Sequence, residues 1–248
     1  MKETIDLINV NIKNLTSLWQ TASEPINSYF KEPKFDYSLI EYSEWPNKLW
    51  FNQEINKNTI ALAKEKLVSV STNLTIPYWD IHNSNSFEIL EQNGFDLKFE
   101  QTGMSIKVNH LFTELKTLSL KKVSSEKEAN LWAKLFYKSF GYFTNPILLT
   151  KSQKNTNYYI AYDQNEAVGT GILHTTNNVS GIHSVGIIPE QRRKGYAEQI
   201  MKLLMNQSIK INSDYITLQS SDMGKGLYLK LGFEEQFTIK NYALPQRV

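Results

Sequence analysis

The sequence contains no cysteine in its 248 residues. A chain without thiols has no disulfide framework, no thiolate nucleophile and no metal site built on cysteine. It also lacks a run of about 18 apolar residues, which a membrane-spanning helix needs, and its N-terminal segment has no signal-peptide core. The four histidines are scattered rather than spaced as metal ligands. We therefore expect a soluble, cytoplasmic protein that uses no metal.

An excess of charge of one sign is also missing. Lys and Arg number 27 against 25 for Asp and Glu, so the formal net charge is only +2. This balance predicts neither nucleic acid nor an anionic membrane as a partner. Hydrophobic residues make up 41% of the chain, which is ordinary for a globular protein. The length allows one large domain or two small ones.

The first predicted domain comprises residues 1–112. Amphipathic helices are predicted at 6–22 and 60–68, and a short helix at 87–93 is followed by Gly94, a residue typical of a helix end. Four strand regions are predicted from apolar runs bounded by turn residues: Phe35–Tyr42, Leu49–Phe51, Leu74–Trp79 and a strand pair within Phe95–Val108 that turns at Thr102-Gly103.

The second predicted domain comprises residues 113–248. A strand at Leu115–Val123 precedes a helix at Glu126–Phe140, whose start is marked by a capping box formed by Ser125 and Glu128. The remaining elements are predicted in this order: a short helix from Asn145-Pro146, strands at 158–162 and 168–174, a strand ending near 188, a long helix, a strand at 215–219, a short helix at 226–231 and a closing strand region at 237–244. The alternation of helices and strands predicts an α/β protein.

A basic turn lies between the strand that ends near Ile188 and the long helix. The turn consists of Gln191, Arg192, Arg193, Lys194 and Gly195. A strand, a glycine-bearing turn and a helix together present unpaired backbone N–H groups and the positive end of a helix dipole to a phosphate. Gly195 lets the backbone approach a ligand, and small Ala197 keeps the first helical turn open. Because the basic cluster is local, it favours a phosphorylated cofactor over a polynucleotide.

The spacing of this turn resembles the acetyl-CoA pyrophosphate loop of the GNAT acyltransferases: Arg192-x-x-Gly195-x-Ala197 after Val185-x-Ile187-x-Pro189. A second motif, Ser220–Tyr228 followed by Leu231-Gly232-Phe233, is similar to the C-terminal signature of that family. The order of elements over residues 115–248 is also the family's order. The resemblance implies the GNAT acyl-CoA N-acyltransferase fold, an α/β (α+β) fold in which helices flank a mixed, twisted sheet.

The resemblance further implies acetyl-CoA as cosubstrate and transfer of its acetyl group to a primary amine of a small molecule or peptide. In the family, loop amides hold the pyrophosphate, and the strand before the loop splays from its neighbour to meet the pantetheine arm. Ser221 replaces an asparagine that contacts this arm in many members. The implied cofactor-binding residues are Val185, Gly186, Ile187, Arg192, Arg193, Lys194, Gly195, Tyr196, Ala197 and Ser221. In the turn we assign phosphate binding to the amides more than to the charged side chains.

Transfer of an acetyl group from a thioester to an amine needs an acid for the departing thiolate and a neutral amine. Tyr228 is the candidate acid, because a phenol with a pKa of about 10 can protonate a thiolate; alternatively it only packs on its helix. His183 is the candidate base, since its pKa near 6.5 suits proton removal and strand alternation puts it on one face with Val185 and Ile187. Some GNAT members carry a glutamate base where Gly181 stands.

Other assignments of the base stay open. His183 is alternatively a structural histidine, and an exposed amine can arrive neutral without a dedicated base. Glu190, His174 and Glu166 are weaker candidates, Glu190 as a local cap of the loop. The aromatic segment Phe140–Asn145 lies where the family often lines its acceptor pocket.

The N-terminal half repeats part of the C-terminal signature. Leu90-x-x-x-Gly94-Phe95 parallels Tyr228-x-x-x-Gly232-Phe233, and each comes after a predicted short strand and before a predicted strand pair. We interpret the chain as a tandem GNAT whose first copy is degenerate, because that copy has no basic glycine turn and has leucine in place of the tyrosine. Since a second copy can replace a dimer partner, we expect a monomer or a weak homodimer.

Two other classes of function stay open at this stage. A non-catalytic acyl-CoA-binding or regulatory protein would bind CoA without transferring its acyl group. A protein-interaction module with an empty loop would bind no CoA. The retained Tyr228 and the intact basic turn favour the enzyme over both.

Overall fold

Helices and strands alternate along the computed structural model of the protein, which describes residues 2–70, 72–81, 84–107, 110–113 and 117–245. The helices are α1 (Lys2–Ser23), α2 (Lys57–Ser69), α3 (Phe87–Gln92), α4 (Glu126–Phe140), α5 (Pro146–Ser152), α6 (Tyr196–Lys210) and α7 (Asp222–Lys230). The strands are β1 (Tyr29–Lys31), β2 (Phe35–Ser38), β3 (Lys48–Phe51), β4 (Ile76–Asp80), β5 (Asp96–Lys107), β6 (Leu118–Lys122), β7 (Thr156–Asp163), β8 (Glu166–Thr176), β9 (Val179–Ile187), β10 (Tyr215–Ser220) and β11 (Glu234–Ala243).

Local capping signals set the helix boundaries where the sequence predicts them. The backbone N–H of Glu128 donates to Ser125 Oγ (3.3 Å), and the N–H of Ser125 donates to Glu128 Oε2 (3.2 Å), which is the predicted capping box of α4. Gly141 ends α4 with a φ of +81°, a conformation that glycine adopts without strain. The side chain of Asn145 accepts the N–H of Ile147 and starts α5. The predicted start of the preceding strand at Leu115 lies outside the described residues.

One mixed sheet of eight strands combines both predicted segments of the chain, with the order β4-β11-β5-β10-β9-β8-β7-β6. Neighbouring strands are antiparallel except β9 and β10, which are parallel. β5, from residues 1–112, lies between β10 and β11, from residues 113–248. A small antiparallel sheet of β1, β2 and β3 is joined to the start of β4 through a parallel bridge between Lys48 and Thr75.

Helices cover both faces of the large sheet. On one face, α1, α4 and α5 pack on β7, β8 and β11 around the buried Trp132 and Phe136. On the other face, α6 packs on β8, β9 and β10 through Ile200 and Leu204. A third cluster joins the small sheet to α2 and α3. None of the described helices combines the length and the apolar character needed to cross a membrane.

The segment predicted as a strand pair turning at Thr102-Gly103 is one continuous strand, β5, so that prediction was wrong. Gly103 is needed for packing rather than for a turn. A Cβ at this position would lie 2.3 Å from Cε1 of the Phe237 ring, which fills the space above the glycine. The end of the predicted segment, Val108, lies outside the described residues. The closing region near 237–244 is likewise a single strand, β11.

We expect Gly103→Ala to lower the free energy of unfolding by about 1–3 kcal/mol, because the added methyl group must displace the buried Phe237 ring. Gly226→Ala is a matched control, since no atom lies within 4 Å of the corresponding Cβ position in α7. That change is expected to stabilise the protein by about 0.5–1 kcal/mol, because alanine favours a helix interior over glycine. Urea unfolding measures both values, and equal effects would contradict this account of Gly103.

Candidate active site

A row of free backbone N–H groups lies where the basic turn meets α6. Gly195 is the N-cap of α6 and has a φ of +76°, so its left-handed backbone suits glycine. Six consecutive residues have backbone N–H groups that donate no hydrogen bond within the described part of the chain: Arg193, Lys194, Gly195, Tyr196, Ala197 and Glu198. Together with the positive end of the α6 dipole, they form a site for an anion with several oxygen atoms.

Two basic side chains of the turn, those of Arg192 and Lys194, form hydrogen bonds that hold the shape of the turn. The Arg192 guanidinium donates to the backbone oxygens of Ile187 (3.2 Å) and Ser139 (3.0 Å), which ties the turn to β9 and to the end of α4. Lys194 Nζ donates to Gln191 Oε1 (2.5 Å), and Gln191 Nε2 donates to Glu166 Oε1 (2.8 Å). These bonds keep the N–H groups of the turn pointing at one place.

The acidic groups near the turn are bonded to other side chains. Glu198 is neutralised by Lys202 and Lys230, each 2.8 Å away, and these bonds lower the pKa of its carboxyl group to about 2. Glu190 pairs with Lys138 at the surface. The hydroxyl of Tyr196 donates to Asp163, and its ring is buried, so Tyr196 offers a ligand only its backbone N–H. No carboxylate therefore competes for the free N–H groups.

The strands β9 and β10 separate next to this turn. Their parallel pairing covers only three residue pairs and ends at Thr217 and Gly181. Both strands continue, β10 to Ser220 and β9 to Ile187, without pairing with each other. The edge of β9 that faces β10 is therefore free of strand partners over its second half. The gap leads from the turn towards the interior.

A β-bulge in β9 changes which of its side chains share a face. Pairing with β8 shifts by one residue in the middle of β9, and Ser184 has a φ of +51°. Val185 and Ile187 pack with the cluster around α6, whereas His183 contacts Asn14 of α1 on the opposite side. The prediction that His183 shares a face with Val185 and Ile187 was wrong, because it assumed uninterrupted alternation along the strand.

His183 is held between two amide side chains. Its Nε2 lies 3.0 Å from Asn14 Oδ1, and its Nδ1 lies 3.1 Å from Gln219 Oε1. Asn14 in turn donates to the backbone oxygen of His174 (3.1 Å), and Gln219 donates to Asn11 Oδ1 (2.6 Å). Burial lowers the pKa of His183 to about 3, so its ring is neutral at neutral pH. A neutral ring carries one N–H, so only one of these contacts is a hydrogen bond at a time, while the two amide oxygens cover both nitrogens.

His174 and His183 are expected to make the protein less stable in acid. Burial lowers the pKa of His174 to about 4 and that of His183 to about 3, whereas both take up a proton near pH 6.5 in the unfolded chain. Their contribution to stability is therefore complete above pH 6.5 and is lost as the pH falls towards 4, with a slope of up to about 1.4 kcal/mol per pH unit for each histidine. His183→Gln should lower this slope by one histidine's share in urea unfolding between pH 4.5 and 7.5. Parallel wild-type and variant curves would contradict the prediction.

A cavity of about 490 Å³ lies at the gap between β9 and β10. Its walls come from both halves of the chain, with Trp19 of α1 and Lys48 of β3 on one side and Tyr228 of α7 on the other. The hydroxyl of Tyr228 makes no hydrogen bond to any described residue, and burial raises its pKa to about 12. A protonated phenol without a partner thus borders the cavity.

Comparison with known proteins identifies the segment that carries these features. Residues 154–235 match the family model described as an acetyltransferase (GNAT) domain. The match includes the separated strands, the basic turn and Tyr228. These residues, about a third of the chain, are therefore similar to a GNAT acetyltransferase domain. No curated protein sequence matches the chain.

Solved structures with the GNAT fold superpose on most of the chain. A GCN5-related N-acetyltransferase from Kribbella flavida is 13% identical with a TM-score of 0.71, over 92% of this chain and 95% of that one. A GCN5-related N-acetyltransferase from Sphaerobacter thermophilus is 13% identical with a TM-score of 0.64, over 87% and 78%. A tandem GNAT protein from the clavulanic acid biosynthesis pathway is 10% identical with a TM-score of 0.56, over 86% and 79%. At these identities the likeness shows the fold, which confirms the predicted mixed sheet flanked by helices.

The fold brings most of the residues singled out in the sequence to two adjoining places. The turn from Arg192 to Ala197 lies at one end of the gap, and His183, Val185, Ser221 and Tyr228 line the cavity at the other. Ser221 also caps α7, because its side chain accepts the N–H of Gly224. Gly186 lets α4 approach β9, since a Cβ there would lie 2.6 Å from the Phe140 ring.

Several residues around the cavity between β9 and β10 were not predicted from the sequence. Asn11 and Asn14 belong to α1, and Lys48 belongs to β3, both far from the family motifs in sequence. Two polar residues among the apolar positions of α1 were the available signal, because buried amides require partners.

The absence of a metal site stays a prediction. The described residues contain no cluster of three or more His, Asp or Glu that fits a metal ion.

Proposed function

We propose that the protein is an acetyl-CoA-dependent N-acetyltransferase that moves an acetyl group to a primary amine of a small molecule or peptide. The observation that carries the proposal is the row of free N–H groups from Arg193 to Glu198 at the mouth of the gap between β9 and β10. A pyrophosphate fits these groups, and the free edge of β9 suits the amide-containing pantetheine arm. The gap then leads to the cavity that contains Tyr228.

In the proposed reaction, acetyl-CoA supplies an activated acetyl group, and the protein's residues orient it and move protons. The N–H groups of the turn anchor the pyrophosphate, and the free backbone of β9 positions the thioester next to the cavity. Tyr228 donates its proton to the departing thiolate, because burial keeps the phenol protonated. The neutral amine attacks the thioester carbonyl directly in a ternary complex, without a covalent acyl-enzyme. The C–S bond breaks, and the proton that the attacking nitrogen loses restores the Tyr228 phenol.

The candidate base, His183, is held by two amide side chains. Both nitrogens of His183 contact amide oxygens, so the geometry favours a positioning role for this residue over direct proton removal. A glutamate cannot replace Gly181, because a Cβ there would lie 1.8 Å from Asn14 Oδ1. We therefore propose that the amine enters the cavity in its neutral form. The base role of His183 stays a prediction.

We also propose that residues 1–112 are a degenerate copy of residues 113–248. From α1 to β5 and from α4 to β11 the order of elements is the same: helix, short helix, three strands, helix, strand, helix and strand. The short helix of the first half is a single 3-10 turn at Glu24–Ile26, and that of the second half is α5. The signatures have the same local geometry, since the N–H of Phe95 donates to the Leu90 oxygen (3.1 Å) and the N–H of Phe233 donates to the Tyr228 oxygen (3.0 Å). Unrelated backbone paths of the two halves in an experimental structure would refute the duplication.

The pairing of the last strands supports a monomer. β5 of the first half pairs with β10 of the second, and β11 of the second pairs with β4 of the first. Each half thus completes the sheet of the other, as a second subunit would in a dimer of single copies. We propose that the protein is a monomer or at most a weak homodimer, which the mass measured in solution tests.

Calorimetric titration of acetyl-CoA into the purified protein tests the proposal, followed by a thiol-release assay with a panel of primary amines. Saturable binding with amine-dependent thiol release is the expected result. Binding without release to any amine would favour the alternative, a non-catalytic acyl-CoA-binding protein, which the engaged nitrogens of His183 also allow. Absence of binding would refute both.

A further inference from the structure

The end of the cavity farthest from the basic turn contains one cation, Lys48. This residue lines the cavity from β3, and its Nζ donates to Thr75 Oγ1 (2.6 Å) and lies 5.7 Å from the centre of the Phe99 ring. Asn241 of β11 lies beside it, because Asn241 pairs with Phe99 across the sheet. The hydroxyl and the ring do not neutralise the ammonium group.

No counter-charge for Lys48 is present among the described residues. It forms no salt bridge with any of them, and the cavity lining contains no aspartate or glutamate. Burial alone lowers its pKa, to about 8, so the ammonium form still dominates at neutral pH. A half-buried cation without a counter-charge favours an anionic ligand, because pairing restores the stabilisation lost with water.

The register of the sheet gives the separation, along β5, between the residues beside Lys48 and the residues beside His183. At that end, Gln219 next to His183 pairs with Gly103 of β5. At the other end, Asn241 pairs with Phe99, four residues earlier in the same strand. At about 3.3 Å per residue, these positions are about 13 Å apart. Since Lys48 Nζ lies beside the Phe99 ring, we place Lys48 at the end of the cavity away from His183 and Gln219.

The wall between the two ends is mostly apolar, with Gln101 as its polar residue. Leu18, Trp19, Trp45 and Ile239 line this part of the cavity. All four are buried and belong to one hydrophobic cluster. An occupant that reaches from Tyr228 to Lys48 therefore contacts apolar surface along most of its length.

We propose that the amine acceptor is an elongated molecule with a carboxylate at the end away from its amino group, and that Lys48 binds this carboxylate. The amino group then lies next to Tyr228, and the apolar middle contacts the tryptophans. This substrate class rests on the proposed acetyltransferase function. Polyamines and other acceptors with a second cation are excluded by charge repulsion from Lys48.

Three probes with the same eight-carbon chain test the proposal: 8-aminooctanoate, octylamine and 1,8-diaminooctane. Their binding is measured through tryptophan fluorescence, because Trp19 and Trp45 line the cavity. We expect 8-aminooctanoate to bind at least about tenfold more tightly than the other two, the effect of one hydrogen-bonded charge pair. Lys48→Met should remove this preference, and Lys48→Arg should keep it.

Lys66→Met is the matched control, because Lys66 also contacts an aromatic ring (5.1 Å from the Tyr37 centre) but lies outside the cavity lining. Its preference should equal that of the wild type. Equal binding of the three probes, no binding at all, or a preference that persists in Lys48→Met would overturn the proposal.

Thiol release from acetyl-CoA, followed in the same solutions, separates this inference from the proposed function. Release with octylamine as fast as with 8-aminooctanoate would overturn the carboxylate site and leave the acetyltransferase standing. Preferential binding of 8-aminooctanoate that depends on Lys48, without release from any probe, would support the site and count against the transferase.

Discussion

Gly195→Asp is expected to lower the affinity for acetyl-CoA about 100-fold while the protein stays folded. Aspartate is a favoured N-cap residue, so its carboxylate can accept the N–H groups of the first turn of α6. Those are the groups assigned to the pyrophosphate, and in the wild type they have no partner within the described residues. Loss of one or two charge-assisted hydrogen bonds, together with repulsion between the carboxylate and the phosphates, corresponds to about 2.7 kcal/mol. Calorimetric titration measures the affinity, and thermal unfolding checks the fold.

Two further variants separate the causes of this loss. Gly195→Asn caps the helix without a charge, and its expected affinity lies between those of wild type and Gly195→Asp. Gly195→Ala adds only the strain of a non-glycine residue at a φ of +76°, since no atom lies within 4 Å of its Cβ position. Unchanged affinity in Gly195→Asp would remove the turn from the proposed site.

Tyr228→Phe is expected to lower kcat about 100- to 1000-fold with little change in acetyl-CoA affinity. General acid catalysis contributes about this much, and the hydroxyl has no hydrogen-bond partner in the described structure whose loss would alter the fold. The phenylalanine ring preserves the contact with Phe233, whose centre lies 6.0 Å from that of Tyr228. Steady-state thiol release gives kcat, and calorimetry gives the affinity.

Tyr137→Phe serves as the control for this change, because Tyr137 is exposed on α4 and does not line the cavity. Its kcat should equal that of the wild type. A kcat of Tyr228→Phe that also equals the wild-type value would dismiss the acid role and leave Tyr228 as a packing residue.

Features that depend on neighbouring residues were predicted correctly. The capping box of Ser125 and Glu128, the Asn145 cap and the glycine turn before α6 each involve groups within a few positions of one another. Because these groups are neighbours in the chain, a short-range pattern in the sequence records them. The two family motifs likewise lie within residues 154–235 and indicated the matched domain before any coordinates.

Features that depend on distant residues were missed or predicted incorrectly. Gly103 resembled a turn residue because its packing partner, Phe237, lies far along the chain. The face of His183 was wrong because the bulge at Ser184 leaves no signal in a pattern of alternating residues. Lys48 received no functional prediction, since a lone lysine in a short strand is ordinarily solvated.

The sequence by itself therefore determined most of the order of elements, the basic turn before α6 and the place of Tyr228 in a short helix, because local hydrogen bonds and periodicity encode them. Tertiary structure alone decided that strands of both halves share one sheet and that α1 holds His183 from a residue 169 positions away. It also decided that Lys48 and Tyr228 border one cavity. The physical reason is that these contacts form only when long-range strand pairing brings the two halves together, and such pairing leaves no short-range pattern in the chain.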